Sequence, residues 1–310
     1  MIYTITLNPA LDRTIEIPSF KTGAVNRVAA VRTDPGGKGI NVSKVIHKLG
    51  GKSVAAGILG GNTGRAILSA LNGMGIPTCF YFAQGETRTN IKIVDPVNHT
   101  NTDLNEPGEE ISAPILDGLL QELLDRIAPG DIAVLSGSVP KGVPADLYFI
   151  WTKAFQEKGA RVFLDASGPL LEAGVKASPY LMKPNIHEFS ALVGWTPQEP
   201  EALAEAARAL AGRYGIAWTV ISLGEKGALY VTEKEAVYAQ GLKVPVRSTV
   251  GAGDSMMAAL AVAAEAGMGK GETVRLSMAA GAAGVMSRGT EAAEYSVIRS
   301  LVPEVEYRLL

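Results

Sequence analysis

Apolar residues recur along this chain at two different periods, and the two periods take turns. The opening Ile2-Tyr3-Thr4-Ile5-Thr6-Leu7 alternates as a strand. Short runs at Ile132 to Leu135, Val162 to Leu164, Tyr180 to Met182 and Thr219 to Ser222 are apolar at nearly every position, as strands buried on both faces are. Between such runs, apolar residues fall three and four apart. Val42, Val45, Ile46 and Leu49 do so in one segment, and Leu203, Ala206, Ala207 and Leu210 in another spanning Glu199 to Arg213. Buried strands alternating with amphipathic helices predict an α/β fold, a three-layer α/β/α sandwich whose central sheet is mainly parallel. The small residues of Met278 to Met286 predict close helix packing.

Two pairs of more polar segments break this rhythm. Thr14 to Ile17 and Val25 to Thr33 alternate like exposed strands, and Arg88 to Val94 and Thr100 to Leu104 flank the turn signal Asp95-Pro96-Val97-Asn98. Together they predict one small β-sheet, a lid formed by excursions at about 12–35 and 87–106 from a single domain spanning 1–310. No internal repeat, low-complexity tract or linker marks a second domain. The alternation in Ile91-Lys92-Ile93-Val94 fits lid-to-lid pairing in a homodimer, and equally a sheet face that closes on substrate.

Charge and composition narrow the function classes. With 29 basic and 31 acidic residues the net charge is -2, so no global field favours nucleic acid or an anionic membrane, and any phosphate binding has to be local. Cys79 is the lone cysteine, which excludes an internal disulfide, and His47, His99 and His187 form no cluster at metal-ligand spacing. The N-terminal strand has no basic leader and no apolar run reaches membrane-spanning length, so a cytoplasmic protein without a signal peptide is expected.

The chemistry concentrates at glycine-rich turns. Thr249-Val250-Gly251-Ala252-Gly253-Asp254 closes an apolar stretch and opens a helix. The first N–H groups of a helix lack internal partners and attract anions. A carboxylate there repels phosphate, so Asp254 serves another purpose, either taking a proton from an attacking hydroxyl or capping the helix. Gly36-Gly37-Lys38-Gly39-Ile40-Asn41 precedes a second helix and adds positive charge. It fails as a P-loop, because the spacing to Lys38 is wrong and Gly39 follows it, and an exposed turn with a solvated lysine is its plain alternative. Gly57 to Gly64 lacks the dinucleotide register and reads as an ordinary βα turn. Asn185 and Glu188, three apart after the strand ending at Met182, either hold the water shell of Mg²⁺ or form a helix capping box. Ser222-Leu223-Gly224-Glu225-Lys226-Gly227 is another turn at a strand end.

From Thr6 to about Thr290 the chain resembles the ribokinase-like, or PfkB, carbohydrate kinases, and within them the sugar-phosphate branch. The resemblance rests on Thr6-Leu7-Asn8-Pro9-Ala10-Leu11-Asp12, Gly36 to Asn41, Thr87-Arg88-Thr89-Asn90, Ser136-Gly137-Ser138-Val139-Pro140, Lys183-Pro184-Asn185, Ser222-Leu223-Gly224 and Ser248 to Ser255, in that order. It implies a phosphotransferase moving the γ-phosphoryl group of ATP to a hydroxyl of a ketohexose phosphate. D-fructose 1-phosphate stands ahead of tagatose 6-phosphate and fructose 6-phosphate as that acceptor. It further implies that Asp254 is the base and that Gly251, Ala252 and Gly253 form the anion hole. Asp12, Gly37, Asn41 and Ser138 would hold the sugar; Lys38, Arg88 and Arg27, the last supplied from the lid, would hold its phosphate. Lys183, Asn185, Ser222, Gly224, Glu225, Gly227, Thr249, Gly253 and Ser287 would line the ATP site, with Asn185 and Glu188 ordering Mg²⁺ through water. A monovalent cation beside the anion hole is a further cofactor of the resemblance. Ser248, where many of these kinases have Asp, removes one side-chain cue for it.

Overall fold

The computed structural model describes residues 1–196, 199–287 and 289–310. The chain runs through β1 (Ile2–Thr6), β2 (Ala10–Glu16), β3 (Ala30–Gly36), α1 (Lys38–Lys48), β4 (Ser53–Gly60), α2 (Gly61–Gly73) and β5 (Thr78–Ala83). It continues with β6 (Thr89–Asp95), β7 (Thr100–Asn105), α3 (Ala113–Arg126), β8 (Ile132–Ser136), α4 (Leu147–Glu157), β9 (Arg161–Asp165), α5 (Gly168–Val175) and β10 (Leu181–Met182). It ends with α6 (Ile186–Val193), α7 (Pro200–Tyr214), β11 (Trp218–Ser222), β12 (Gly227–Val231), β13 (Ala236–Gln240), α8 (Ala252–Glu265), α9 (Lys270–Met286), α10 (Tyr295–Leu301) and β14 (Tyr307–Leu309).

The large sheet has the order β14-β13-β12-β11-β10-β9-β8-β1-β4-β5. It is parallel from β5 to β11 and antiparallel beyond. The near-continuous apolar strands follow from burial on both faces. Ala133 and Leu135 of β8 join the core under α3, α4, α5, α6 and α7, while Ile132 and Val134 join the core under α1, α8, α9 and α10. The crowding of small residues in α9 has the anticipated effect. A side chain at Gly284 would meet Ser255 Oγ at 2.8 Å, so α9 seats directly on the first turn of α8.

The two polar strand pairs do form one small sheet, in the order β3-β2-β6-β7, with β2 and β6 parallel at its centre. The expected strand from Val25 starts only at Ala30. The reason is local: the side chain of Asn26 accepts from Lys21 N–H (2.9 Å) and donates to the carbonyls of Lys21 (2.8 Å) and Ala24 (3.1 Å), closing the segment on itself. Val25 is left 88% exposed. At the other end, Asp95 is buried and accepts from the backbone N–H groups of Ser19, Phe20, Val97 and Asn98 and from the Asn98 amide. Burial pushes its carboxyl up, but these bonds outweigh it and hold the group well below the usual carboxylate range.

One face of this sheet carries Asp12, Thr14, Asn90 and Lys92, and the opposite face carries Leu11, Ile15, Ile91, Ile93 and Leu104.

Candidate active site

Parallel strands end together, and Thr6, Ser136 and Asp165, which close β1, β8 and β9, and Lys183, which follows β10, therefore meet at one edge of the large sheet. Ser248 Oγ accepts from Val250 N–H at 3.2 Å just ahead of α8. Gly251 then adopts left-handed geometry at φ 86, which a side chain would strain, and becomes the N-cap of α8. Ser255 N–H is the first to bond back into the helix, to Gly251 O at 2.8 Å, so the amides of Ala252, Gly253 and Asp254 have no helical partner. Gly251 to Gly253 are only half-buried, so a ligand can reach them.

Asp254 does not cap this helix: no side chain caps α8. Its carboxylate instead accepts from Asn41 Nδ2 on α1 at 2.9 Å. Burial pushes the Asp254 carboxyl up, against the opposing pull of the Lys38 ammonium. Of the two roles open to it from sequence, the helix cap is thereby removed.

Lys38 keeps some solvent but is not an unpaired surface lysine. Its Nζ donates to Asp165 Oδ1 at 2.9 Å, and Asp165 Oδ2 forms an ion pair with Lys183 Nζ at 3.0 Å. Asp165 raises the Lys38 ammonium well above its ordinary value, against the lowering effect of burial. For Asp165, burial pushes the carboxyl up and the two lysines, Lys183 first, more than reverse it. Lys183 Nζ stands 3.3 Å from where a side chain at Gly253 would begin, which places it over the bare amides of α8. Asp165 escaped sequence reasoning. The available signal was a carboxylate terminating the apolar run Val162-Phe163-Leu164, where a parallel strand delivers it to the ligand edge.

On the small-sheet side, Asp12 lies against Gly36 and accepts from Asn90 Nδ2 at 3.0 Å. Gly37 is the N-cap of α1 at φ 112. Asn41 is buried; its Nδ2 donates to Asp254, and its Oδ1, also buried, has no hydrogen-bond partner among the described residues. Arg88 is more committed than expected. Its guanidinium donates to the carbonyls of Asn8 (3.1 Å), Pro9 (3.3 Å) and Glu106 (3.0 Å) and to Asn90 Oδ1 (3.3 Å). Ser138 Oγ accepts from Asn8 Nδ2 at 3.3 Å in the same corner. Arg27 is not brought there. It lies exposed in the loop between β2 and β3 that Asn26 closes on itself.

On the other side, Asn185 and Glu188 form the capping box of α6. Glu188 N–H donates to Asn185 Oδ1 (2.9 Å) and Asn185 N–H to Glu188 Oε2 (2.8 Å). Ser222 N–H donates to Pro184 O at 3.0 Å, joining this turn to the next strand end, where Gly224 and Glu225 are exposed and Gly227 opens β12. Thr249 is exposed, and Ser287 closes α9, whose Val285 carbonyl accepts from Arg247 and Ser248 N–H (2.8 and 3.2 Å). Among the described residues, no group of three or more His, Cys, Asp or Glu side chains is placed to hold a metal ion. No described helix is long and apolar enough to cross a membrane.

Residues 5–295 match the family described as pfkB family carbohydrate kinase. The chain belongs to the pfkB family. A 1-phosphofructokinase of Rhodobacter capsulatus is 41% identical over 279 residues, 90% of this chain and 88% of the relative. One from Haemophilus influenzae is 34% identical over 100% of this chain and 98% of its own length. Among solved structures, Escherichia coli phosphofructokinase-2 in complex with potassium superposes with a TM-score of 0.93 at 32% identity over 98% of each chain. The same enzyme in complex with fructose-6-phosphate gives 0.92 at 30%. The ribokinase-like α/β fold is thus shared along the whole pfkB-family chain. Membership makes this protein a phosphotransferase with a carbohydrate hydroxyl as acceptor.

Proposed function

We propose that this kinase transfers the γ-phosphoryl group of ATP to the 6-hydroxyl of D-fructose 1-phosphate, giving fructose 1,6-bisphosphate and ADP. The observation that carries the reading is the buried, non-capping Asp254 beside unpartnered amides and two lysines. The acceptor is chosen on the relatives named 1-phosphofructokinase, which align over nearly the whole chain.

In this mechanism Asp254 accepts the hydroxyl proton as the oxygen attacks phosphorus and the bond to the ADP oxygen breaks. The amides of Ala252 and Gly253 stabilise charge on the transferring group, with Lys183 at its side. Asn41 orients Asp254 through its Nδ2 and, with Asp12 and Gly37, takes the sugar hydroxyls. Ser222, Gly224, Glu225, Gly227, Thr249 and Ser287 wall the nucleotide. The small sheet acts as the lid, and its apolar face, with Leu104 53% exposed, pairs with a second copy in a homodimer.

The donor set fits Mg²⁺ held through water. The capping box consumes Asn185 Oδ1 and Glu188 Oε2, leaving Glu188 Oε1 to accept from metal-bound water and Asn185 Nδ2 to donate to a phosphate oxygen. Mg²⁺ there would supply charge neutralisation. Ser248 Oγ accepts one hydrogen bond, from Val250 N–H, and brings no charge, so a monovalent cation there would rely on neutral oxygens.

A panel of fructose 1-phosphate, tagatose 6-phosphate and fructose 6-phosphate with ATP and Mg²⁺, read by ADP release, tests the reading. The highest kcat/KM is expected for fructose 1-phosphate, and a clear preference for another member reassigns the acceptor. The second reading, fructose 6-phosphate, has its support in the E. coli relative solved with that sugar. Arg88→Ala should raise the acceptor KM roughly 10–100-fold, the worth of a charged hydrogen bond, and leave the ATP KM nearly unchanged. An equal rise in both would place Arg88 outside the acceptor corner.

A further inference from the structure

Lys44 is a charge for which phosphoryl transfer has no use. It sits on α1 beyond Asn41, and its side chain is 6% exposed. A buried ammonium is costly unless it is paired. Its Nζ donates to the carbonyl of Pro35 at 2.9 Å, at the end of β3 where the small sheet joins the body. Among the described residues its other two N–H bonds have no hydrogen-bond partner. The charges that face it come from Asp34 and Arg32 of β3, Asp12 of β2 and Asp254 of α8. β1, β4 and β8, which also pack on α1, carry no charged side chain. Asp34 is held by Arg32 at 2.7 Å and Asp12 by Asn90 at 3.0 Å, so each carboxylate keeps its own partner and Lys44 is the cation they share with Asp254.

We propose that Lys44 is a positioning residue for the acceptor: it grips the root of β3 from α1 and fixes Asp12 over Asn41 and Asp254, setting acceptor affinity rather than the chemical step. The inference rests on the sugar-phosphate kinase reading. Without that cation, Asp12, Asp34 and Asp254 keep only their separate partners, Arg88, Arg32 and Lys38, and lose the positive charge common to all three, while the root of β3 loses its tie to α1. Burial pushes the ammonium down to about 8, so its charge is lost within a range that kinetics can reach.

The test is steady-state kinetics of the full chain, Lys44→Arg and Lys44→Met across about pH 6.5 to 9.5, with acceptor and ATP varied separately. In the unaltered protein, kcat/KM for the acceptor should fall on an alkaline limb near pH 8 while kcat holds. Lys44→Arg, charged throughout, should move that limb out of range. Lys44→Met should show an acceptor kcat/KM lowered roughly 10-fold or more at neutral pH, with no limb and little change in the ATP KM. An alkaline limb unmoved in Lys44→Arg overturns the inference, as does an equal rise of both KM values in Lys44→Met. Thermal melting reports whether each variant folds, and if Lys44→Met does not, the limb in Lys44→Arg decides alone. An unaltered protein inactive on every ketohexose phosphate refutes the parent reading, whereas an active one with an unmoved limb refutes this inference only.

Discussion

Asp254→Asn is expected to lower kcat roughly 10²–10⁴-fold, the usual contribution of a general base, while the protein melts no lower than before. Both halves follow from one environment. The carboxylate sits buried at a helix N-terminus where its pKa is raised by burial, so ionising it costs the folded state. A carboxyl whose folded value lies above its unfolded one gives its full stability at pH below the unfolded value, and that contribution is lost as pH rises through the folded value. At neutral pH the native Asp254 is therefore a net liability to folding, which the isosteric amide removes. The bond from Asn41 Nδ2 survives, because the asparagine oxygen still accepts it. A kinase tolerates such a liability where it is useful: a pKa moved up toward the working pH makes a better proton acceptor. Near-normal turnover in the variant would refute the base assignment. A clear fall in melting temperature with lost turnover would show that Asp254 holds structure instead.

The layers of the fold were legible because burial on both faces leaves a mark that composition cannot hide, as in Ile132 to Leu135. The small sheet was legible from the opposite mark, polar alternation around Asp95 and Asn98. Its β3 strand was misjudged at Val25 because a single side chain, Asn26, supplies the hydrogen bonds that a strand partner would have given. In the site, residues tied to backbone geometry were readable in advance: Gly251, Gly37 and the Asn185–Glu188 box mark helix starts whose chemistry is local. What stayed hidden was pairing across the fold. Lys38 and Asp165 lie 127 positions apart, and nothing at either position announces the other. Arg88 shows the same from the other side, since its hydrogen bonds to the carbonyls of Asn8 and Pro9, 80 and 79 positions away, exist only because the small sheet folds back on the segment after β1.

Removal of Asp165 should be the most damaging single change to stability in the site. Its carboxylate is 2% exposed and Lys183 is 4% exposed, so the pair is out of water, while Lys38 at 39% retains solvent. Deleting one member of a buried pair strands the other, at a cost of about 3–5 kcal/mol, and here it also leaves two ammonium groups facing each other. Asp165→Ala should accordingly lose about that much in urea denaturation at neutral pH. Because misplacement of groups by an ångström is enough, kcat should fall roughly 10²-fold as well. The pH dependence has a definite sign. The Asp165 carboxyl is held below its unfolded value, so its contribution is complete above that value and lost as pH falls through the folded one. The stability gap between the native protein and Asp165→Ala should thus narrow as pH drops below about 4. The double variant Asp165→Leu with Lys183→Met removes the stranded cation and replaces the pair with apolar bulk, which is neutral or better in comparable sites. It should recover most of the lost stability and none of the activity, since Lys183 stands over the amides of α8. If it proves as unstable as Asp165→Ala, the damage does not come from an unpaired buried charge. If activity returns with stability, Lys183 takes no part in holding the transferring phosphoryl group.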